Sequence, residues 1–145
     1  MSKARIVVVG SSNIDMVVKS ERIPRGGETI LGGDFVMVPG GKGANQAVCA
    51  AKLGADVTLV ARIGDDVFGE TSLANFHTVG VDTTYVTKDA NAPSGVALIV
   101  VDAQGENAIV VAPGANNRLT PADVDRARDA ISQADAVVLQ LEIPP

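Results

Sequence analysis

The sequence has few aromatic residues, a single cysteine and no long apolar run. Aromatic residues make up 3% of the 145 residues although hydrophobic residues make up 46%, so the core must be built from valine, isoleucine, leucine and alanine, as in buried parallel sheets. The one cysteine, Cys49, cannot form an internal disulfide, which favours a reducing, cytoplasmic compartment. No window approaches roughly 18 apolar residues, so no membrane span is expected.

Positive charge is also scarce. Twelve Lys and Arg stand against 17 Asp and Glu, which gives a net charge of −5. Binding to nucleic acid or to an anionic membrane surface needs clustered cations, so neither partner is expected. The length suits one domain with a substantial core.

Continuous apolar runs alternate with amphipathic segments along much of the chain. Arg5–Val9, Val57–Ala61 and Ala136–Leu141 are typical of strands buried on both faces. Lys42–Leu53 and Asp65–Val79 have helical periodicity, and each is followed by a glycine suited to end a helix. This alternation predicts an α/β fold: a Rossmann-like, partly parallel sheet flanked by helices.

A second group of strands has no helix between the members of each pair. These runs lie at about residues 14–20, 33–38, 95–101 and 107–112. The last two flank a five-residue loop that contains Gly105, which is a hairpin signal. They predict a smaller, mostly antiparallel sheet set to one side. A further helix begins at Thr120, with Pro121 in its first turn.

The stretch VPGGKGANQA, residues 38–47, resembles a phosphate loop but fits neither common phosphate motif. A Walker A loop needs Ser or Thr after its lysine, and Lys42 is followed by Gly43. A dinucleotide fingerprint needs G-x-G-x-x-G directly after the first strand, where Gly10 is followed instead by Ser-Ser-Asn. The glycines instead free backbone N–H groups at a helix N-terminus and let a ligand approach closely.

Polar side chains follow the first and last parallel strands, where open α/β sheets bind ligands. Asn13 and Asp15 come just after the first strand, and Glu142 directly follows the last. Together with Lys42 and Asn45 they form a set of carboxylates and carboxamides with one ammonium. Such groups donate to and accept from hydroxyls, so the set suits a neutral polyol better than a free phosphate.

Four of these five residues also have a simpler interpretation. Lys42 can be a solvated side chain, Asn45 a helix cap, and Asn13 and Asp15 turn residues. The adjacent acids at 65 and 66 can bind a metal or, more simply, cap the following helix. Cys49 is interpreted as a small buried hydrophobe.

Several motifs along the chain resemble those of the ribokinase (PfkB-type) carbohydrate kinases. The resemblance rests on GGKGANQA at 40–47, GSSNID at 10–15, GDDVFG at 64–69, GAN at 114–116 and QLE at 140–142. It runs in the family's order from about Arg5 to Glu142, and implies that residues 1–145 are the N-terminal half of a ribokinase-like domain. The resemblance implies a set of residues that hold the hydroxyls of ribose or a similar pentose: Asn13, Asp15, Gly41, Lys42, Asn45 and Glu142. It also implies that the small sheet is a lid over the sugar.

The family's second signature, D-T-x-G-A-G-D, is missing from these 145 residues. The resemblance assigns to it the catalytic base and the amides that cradle the transferred phosphoryl group. No catalytic residue, cofactor or metal site is therefore expected in this chain, since the resemblance implies that ATP and magnesium bind to the other half of the fold.

Three hypotheses stay open: a truncated ribokinase-like protein that binds ribose weakly without turnover, a self-associating structural module, and half of a kinase completed by a second chain. Each predicts a homo-oligomer, most simply a dimer, formed through the lid sheet, through an exposed edge of the parallel sheet, or both.

Overall fold

The computed structural model describes residues 3–145 as two four-stranded sheets with helices packed around one of them. Sheet A has the strand order β5-β4-β1-β8 and is parallel throughout. Sheet B has the order β3-β2-β6-β7. In chain order the strands are β1 Arg5–Val9, β2 Asn13–Lys19, β3 Phe35–Gly40, β4 Asp56–Gly64, β5 Asp82–Asp89, β6 Gly95–Val101, β7 Asn107–Ala112 and β8 Ala136–Leu139.

The helices cover both faces of sheet A. On one face, α1 (Lys42–Lys52) and α2 (Val67–Thr78) enclose a core that includes Val8, Leu59 and Phe76. On the other face, α3 (Pro121–Arg126) and α4 (Arg128–Gln133) pack over a core of Val7, Val9, Val60, Leu119 and Ala127. These small aliphatic cores confirm the predicted α/β fold with a helix-flanked parallel sheet. None of the helices formed by residues 3–145 is long and apolar enough to cross a bilayer.

Sheet B is the predicted second sheet, and we call it the lid sheet. Two of its three pairings, β2 with β3 and β6 with β7, are antiparallel. The central pairing of β2 with β6 is parallel, so the sheet is mixed. Strand β3 extends through Pro39 to Gly40, beyond the predicted end at residue 38. Proline is tolerated there because β3 is an edge strand, where a missing N–H costs no ladder bond.

Three other local predictions differ from the structure. Strand β8 ends at Leu139 rather than Leu141, because its neighbour β1 ends at Val9 and leaves no strand for residues 140–141 to pair with. The helix predicted from Thr120 is two short helices, although its N-terminal capping box with Asp123 is present. Cys49 is exposed, so its interpretation as a buried hydrophobe was wrong: it lies on the solvent side of α1, whose inner face is formed by alanines.

Candidate functional site

All the residues that the sequence singled out for sugar binding line one cavity of about 150 Å³. Four apolar residues of the lid strands β6 and β7 complete its wall. The lining is Asn13, Asp15, Gly41, Lys42, Asn45, Glu142, Ala97, Ile99, Ile109 and Val111. The cavity is thus polar on the side formed by β2, the start of α1 and Glu142, and apolar on the side formed by β6 and β7. Such a lining can bind the hydroxyls of a small polyol on one side and pack against its C–H groups on the other.

The topology of sheet A brings these residues together. Strands β4 and β8 flank β1 in parallel, so the chain leaves β1 and β8 at the same edge of the sheet. From β1 it passes directly into lid strand β2, which carries Asn13 and Asp15. From β8 it passes to Glu142, and α1 begins at this edge with Lys42. The site therefore lies at the carboxyl end of a parallel sheet, where α/β folds bind their ligands.

Gly41 takes a backbone conformation that favours glycine. Its φ is +92°, and a Cβ at this position would lie 2.7 Å from the backbone N of Asn13. Gly43, the second residue of α1, packs directly on the backbone of Gly10 and Ser11, where a Cβ would lie 2.6 Å from the Ser11 N. The glycines thus allow α1 to approach the β1–β2 connection closely enough for its first turn to line the cavity.

Lys42 and Glu142 form an ion pair at one side of the cavity. They are 100 residues apart in the sequence, and the other carboxylate oxygen of Glu142 accepts a hydrogen bond of 3.3 Å from the Ser11 hydroxyl. The Lys42 side chain is largely exposed, so the pair itself contributes little to stability. Its geometry places one ammonium and one carboxylate next to each other at the cavity, where a hydroxyl can bind both.

Asp15 is half-buried and lies opposite Val38 and Ala97 in the lid sheet. Its carboxylate packs over Gly40, where a Cβ would come within 2.2 Å of an Asp15 carboxylate oxygen. Burial raises the pKa of Asp15 above its ordinary value. Within residues 3–145 no donor hydrogen-bonds to this carboxylate. Both oxygens are therefore available to accept from a ligand in the cavity.

Two buried polar residues that support the site were not predicted from the sequence. Asn116 hydrogen-bonds to Ser12 and Asn13, and the Gln140 Oε1 accepts from the Ser11 N–H at 2.9 Å. Both side chains are buried. The motifs GAN and QLE contain them, but the short-range sequence pattern gives no sign that they reach more than 100 residues to the β1–β2 connection.

One residue of the acidic pair at 65 and 66 caps a helix. Asp66 precedes α2, and its Oδ1 accepts from the Gly69 N–H at 2.8 Å. Its other oxygen accepts from the Ser94 N–H, also at 2.8 Å. In the part of the chain that the structure describes, no three His, Cys, Asp or Glu side chains are grouped so that they could hold a metal ion. The helix-cap interpretation is confirmed for Asp66 by its hydrogen bond to Gly69, whereas Asp65 contacts Lys88 at 3.8 Å.

A family model and individual relatives both match this chain, and both are carbohydrate kinases. The model of the pfkB family of carbohydrate kinases matches residues 3–143. The chain is 49% identical over 139 residues to the ribokinase of Bacillus subtilis (strain 168), covering 96% of this chain and 47% of that protein. It is 42% identical over 138 residues to the deoxyribokinase of Salmonella typhi, covering 95% of this chain and 45% of that protein.

A solved structure shows the same fold. The Arabidopsis thaliana ribokinase complexed with ribose and ATP superposes with a TM-score of 0.82 at 36% identity, over 99% of this chain and 47% of that one. The chain spans about half the length of the curated relatives it matches.

Proposed function

The chain belongs to the pfkB family of carbohydrate kinases, and on that premise we propose that its 145 residues bind ribose or a similar pentose without phosphorylating it. The single observation that supports this most strongly is the convergence of six residues, predicted from separate parts of the sequence, on one cavity. The proposed sugar ligands are Asn13, Asp15, Gly41, Lys42, Asn45 and Glu142.

Three of the proposed ligands have distinct roles towards a polyol. Asp15 accepts hydrogen bonds from two hydroxyls with a carboxylate that no neighbour engages among the described residues. Lys42 donates, and Asn45 both donates and accepts through its carboxamide. The apolar lid residues Ile99 and Ile109 pack against the C–H face of the sugar. A pentose presents hydroxyls and C–H groups on different sides, which matches this arrangement.

The full reaction of the family needs a base, an anion hole, ATP and magnesium, and these 145 residues do not carry the signature that supplies the first two. The described residues also offer no group of side chains fitted to a metal ion. ATP would supply the phosphoryl group where it is bound, whereas this chain would bind and orient the acceptor sugar. A cytoplasmic location stays a prediction.

The proposal predicts ribose binding without turnover by the purified chain. In an amide NMR titration, ribose should shift the backbone resonances of Gly41, Asn45 and Asp15 and leave those of α4 unchanged. A coupled assay for ADP should detect no ribose-dependent release above background. L-arabinitol and glycerol are the control ligands for nonspecific polyol effects.

Three other outcomes would redirect the proposal. Absence of ribose shifts up to high millimolar concentration would contradict it and favour a structural module. ADP release that depends on ribose would show that the chain completes a catalytic site. Stronger shifts with 2-deoxyribose than with ribose would place the chain with relatives such as the deoxyribokinase.

We propose in addition that two copies associate through the lid sheet. Its outer face carries an apolar row across all four strands in register: Met37, Met16, Leu98 and Val110. Leu98 is 54% exposed and Val110 is 68% exposed, so this face presents a continuous apolar surface to solvent in the single chain. Association through it would remove that surface from water.

A Val110→Lys variant should therefore be monomeric where the wild type is a dimer, as measured by static light scattering at micromolar concentration. The lysine would place an ammonium group in the middle of the proposed contact. Dimer formation would then bury an unpaired charge, which is unfavourable. Val137→Lys, at the exposed edge strand β8, is the matched control and should stay dimeric. A monomeric wild type would refute the proposal, and dissociation of the Val137→Lys variant alone would place the contact at β8.

A further inference from the structure

Asn116 lies outside the sugar cavity but is hydrogen-bonded to one of its proposed ligands. It belongs to a 3-10 helix, Gly114–Arg118, that follows the last lid strand, and it is 1% exposed. Its Oδ1 accepts from the Ser12 N–H at 2.9 Å. Its Nδ2 donates to the Ser12 carbonyl at 3.1 Å and to the Asn13 Oδ1 at 2.8 Å. All of these contacts span more than 100 residues of sequence.

These bonds fix the orientation of two carboxamides in turn. The Ser12 backbone N–H can only donate, so the Asn116 atom facing it must be the oxygen. The other end of Asn116 is then the NH₂ group, which donates to the Ser12 carbonyl and to Asn13. The Asn13 atom that accepts must be its oxygen. The Ser12 N–H thus determines the orientation of Asn116, and Asn116 in turn determines which end of the Asn13 carboxamide points away from Asn116.

The end of Asn13 that is left is its NH₂ group. Asn13 lines the sugar cavity, and no acceptor within residues 3–145 hydrogen-bonds to its Nδ2. Gly95 of strand β6 covers the pair closely, because a Cβ there would lie 2.1 Å from the Asn13 Oδ1 and 2.3 Å from the Asn116 Nδ2. The lid thus holds the two carboxamides in contact.

We propose that Asn116 is a positioning residue that holds Asn13 with its NH₂ group towards the cavity, so that this position donates to a sugar oxygen while neighbouring Asp15 accepts. The proposal rests on the proposed function for the identity of the ligand. It predicts a donor next to an acceptor on strand β2, a pair that discriminates between hydroxyls by the direction of their hydrogen bonds. A carboxamide free to rotate would give no such discrimination.

The orientation can be tested without any sugar. In side-chain amide hydrogen exchange followed by NMR, the NH₂ group of Asn116 should be strongly protected, whereas that of Asn13 should exchange much faster. Equal protection of the two groups in the wild type would overturn the proposal. This measurement decides the matter even where a substituted protein fails to fold.

An Asn116→Asp variant, studied at pH 8, tests the consequence. The carboxylate still accepts from the Ser12 N–H but now faces the Asn13 Oδ1 with a second acceptor, so Asn13 should turn its NH₂ group towards Asp and its oxygen to the cavity. Exchange of the Asn13 NH₂ group should slow, and ribose should bind on the order of tenfold more weakly. Asn117→Asp, an exposed neighbour, is the matched control and should change neither quantity.

The two proposals fail in different ways. A wild type that shows the expected exchange pattern but does not bind ribose would remove the proposed ligand and keep the role of Asn116. An Asn116→Asp variant with wild-type exchange at Asn13 and wild-type ribose affinity would overturn the positioning role and leave ribose binding intact. A set of monodeoxy riboses adds a specific readout: the effect of the substitution should shrink for the one analogue that lacks the hydroxyl bound by Asn13.

Discussion

An Asp15→Asn variant is expected to bind ribose about a hundredfold more weakly than the wild type, because it loses two charge-assisted hydrogen bonds to hydroxyls. The same variant should melt at a higher temperature when no sugar is present. Burial raises the pKa of Asp15, and no donor among the described residues compensates its charge. A carboxyl group with a raised pKa in the folded state destabilises that state wherever it is ionised, so a neutral carboxamide relieves the cost.

Opposite effects on binding and stability separate a ligand-binding role from a structural one. A residue that only supports the lid would lose stability and binding together when it is replaced. The measurement is isothermal titration with ribose at pH 7.5, paired with thermal melts of the free proteins. Asp34→Asn, which removes the same charge from an exposed position beside β3, is the matched control and should leave both values unchanged. An Asp15→Asn variant with wild-type affinity would remove Asp15 from the site.

The pH dependence of binding follows from the same raised pKa. Ribose binding requires the ionised carboxylate, so affinity should fall as pH decreases through the pKa of Asp15. Because that pKa is raised, the fall should begin at a higher pH than an ordinary aspartate, with a pKa of about 3.9, would give. In the Asp15→Asn variant this part of the pH profile should disappear, which ties the profile to one group.

Sequence reasoning identified the site because its residues stand at element ends. Asn13, Asp15 and Glu142 follow strands of one parallel sheet, and the connection rules for such sheets bring those ends together. Gly41 caps and Lys42 begins a helix whose small residues were visible in the sequence. The family resemblance added the roles of these residues, but their shared edge follows from topology.

The same reasoning missed contacts that depend on three-dimensional packing. Asn116 and Gln140 act through side chains that reach across the fold, and nothing in the local pattern distinguishes them from surface amides. The parallel pairing of β2 with β6 was also missed, because it joins strands more than 70 residues apart and hydrophobic alternation carries no information on direction. The predicted strand at about residues 33–38 also stops before Pro39, whereas β3 continues to Gly40, because a sheet edge tolerates proline and the edge position was not visible in the sequence.

An ionic network at the carboxyl ends of β4 and β5 was likewise invisible in the sequence. Arg62 binds two aspartates at 2.9 Å each: its Nε contacts Asp89, and one terminal nitrogen contacts Asp123. The side chains of these aspartates are only 2% and 7% exposed. Arg118 also contacts Asp89, at 2.8 Å. Three elements, β4, β5 and α3, are thus held together by one guanidinium group.

Both aspartates have lowered pKa values. For Asp89 the main cause is the backbone N–H of Asn91, which together with Arg62 and Arg118 outweighs the opposing effect of desolvation. For Asp123, burial alone would raise the pKa, but hydrogen bonds from Thr120, Thr87 and Arg62 more than offset it. A lowered pKa in the folded state contributes stability at pH values above the unfolded pKa of about 3.9, and this stability is lost as pH falls through the folded value.

An Arg62→Met variant should therefore melt lower than the wild type by on the order of 10 °C at pH 7, because it leaves two buried carboxylates without their shared cation. The difference should narrow as pH falls below the unfolded pKa of about 3.9 and through the lowered folded pKa values of Asp89 and Asp123, because the wild type then loses the stability that its ionised carboxylates contribute. Arg128→Met, which breaks the exposed pair with Asp125, is the matched control and should shift the melting temperature by no more than a few degrees. Thermal melts of the three proteins at pH 7 and pH 3 provide the measurement.

Equal melting temperatures of Arg62→Met and Arg128→Met at pH 7 would show that the network contributes no more to stability than a surface ion pair. Because Arg62 lies outside the sugar cavity, ribose affinity of the folded variant should stay unchanged, which separates the stability of this network from the function of the site.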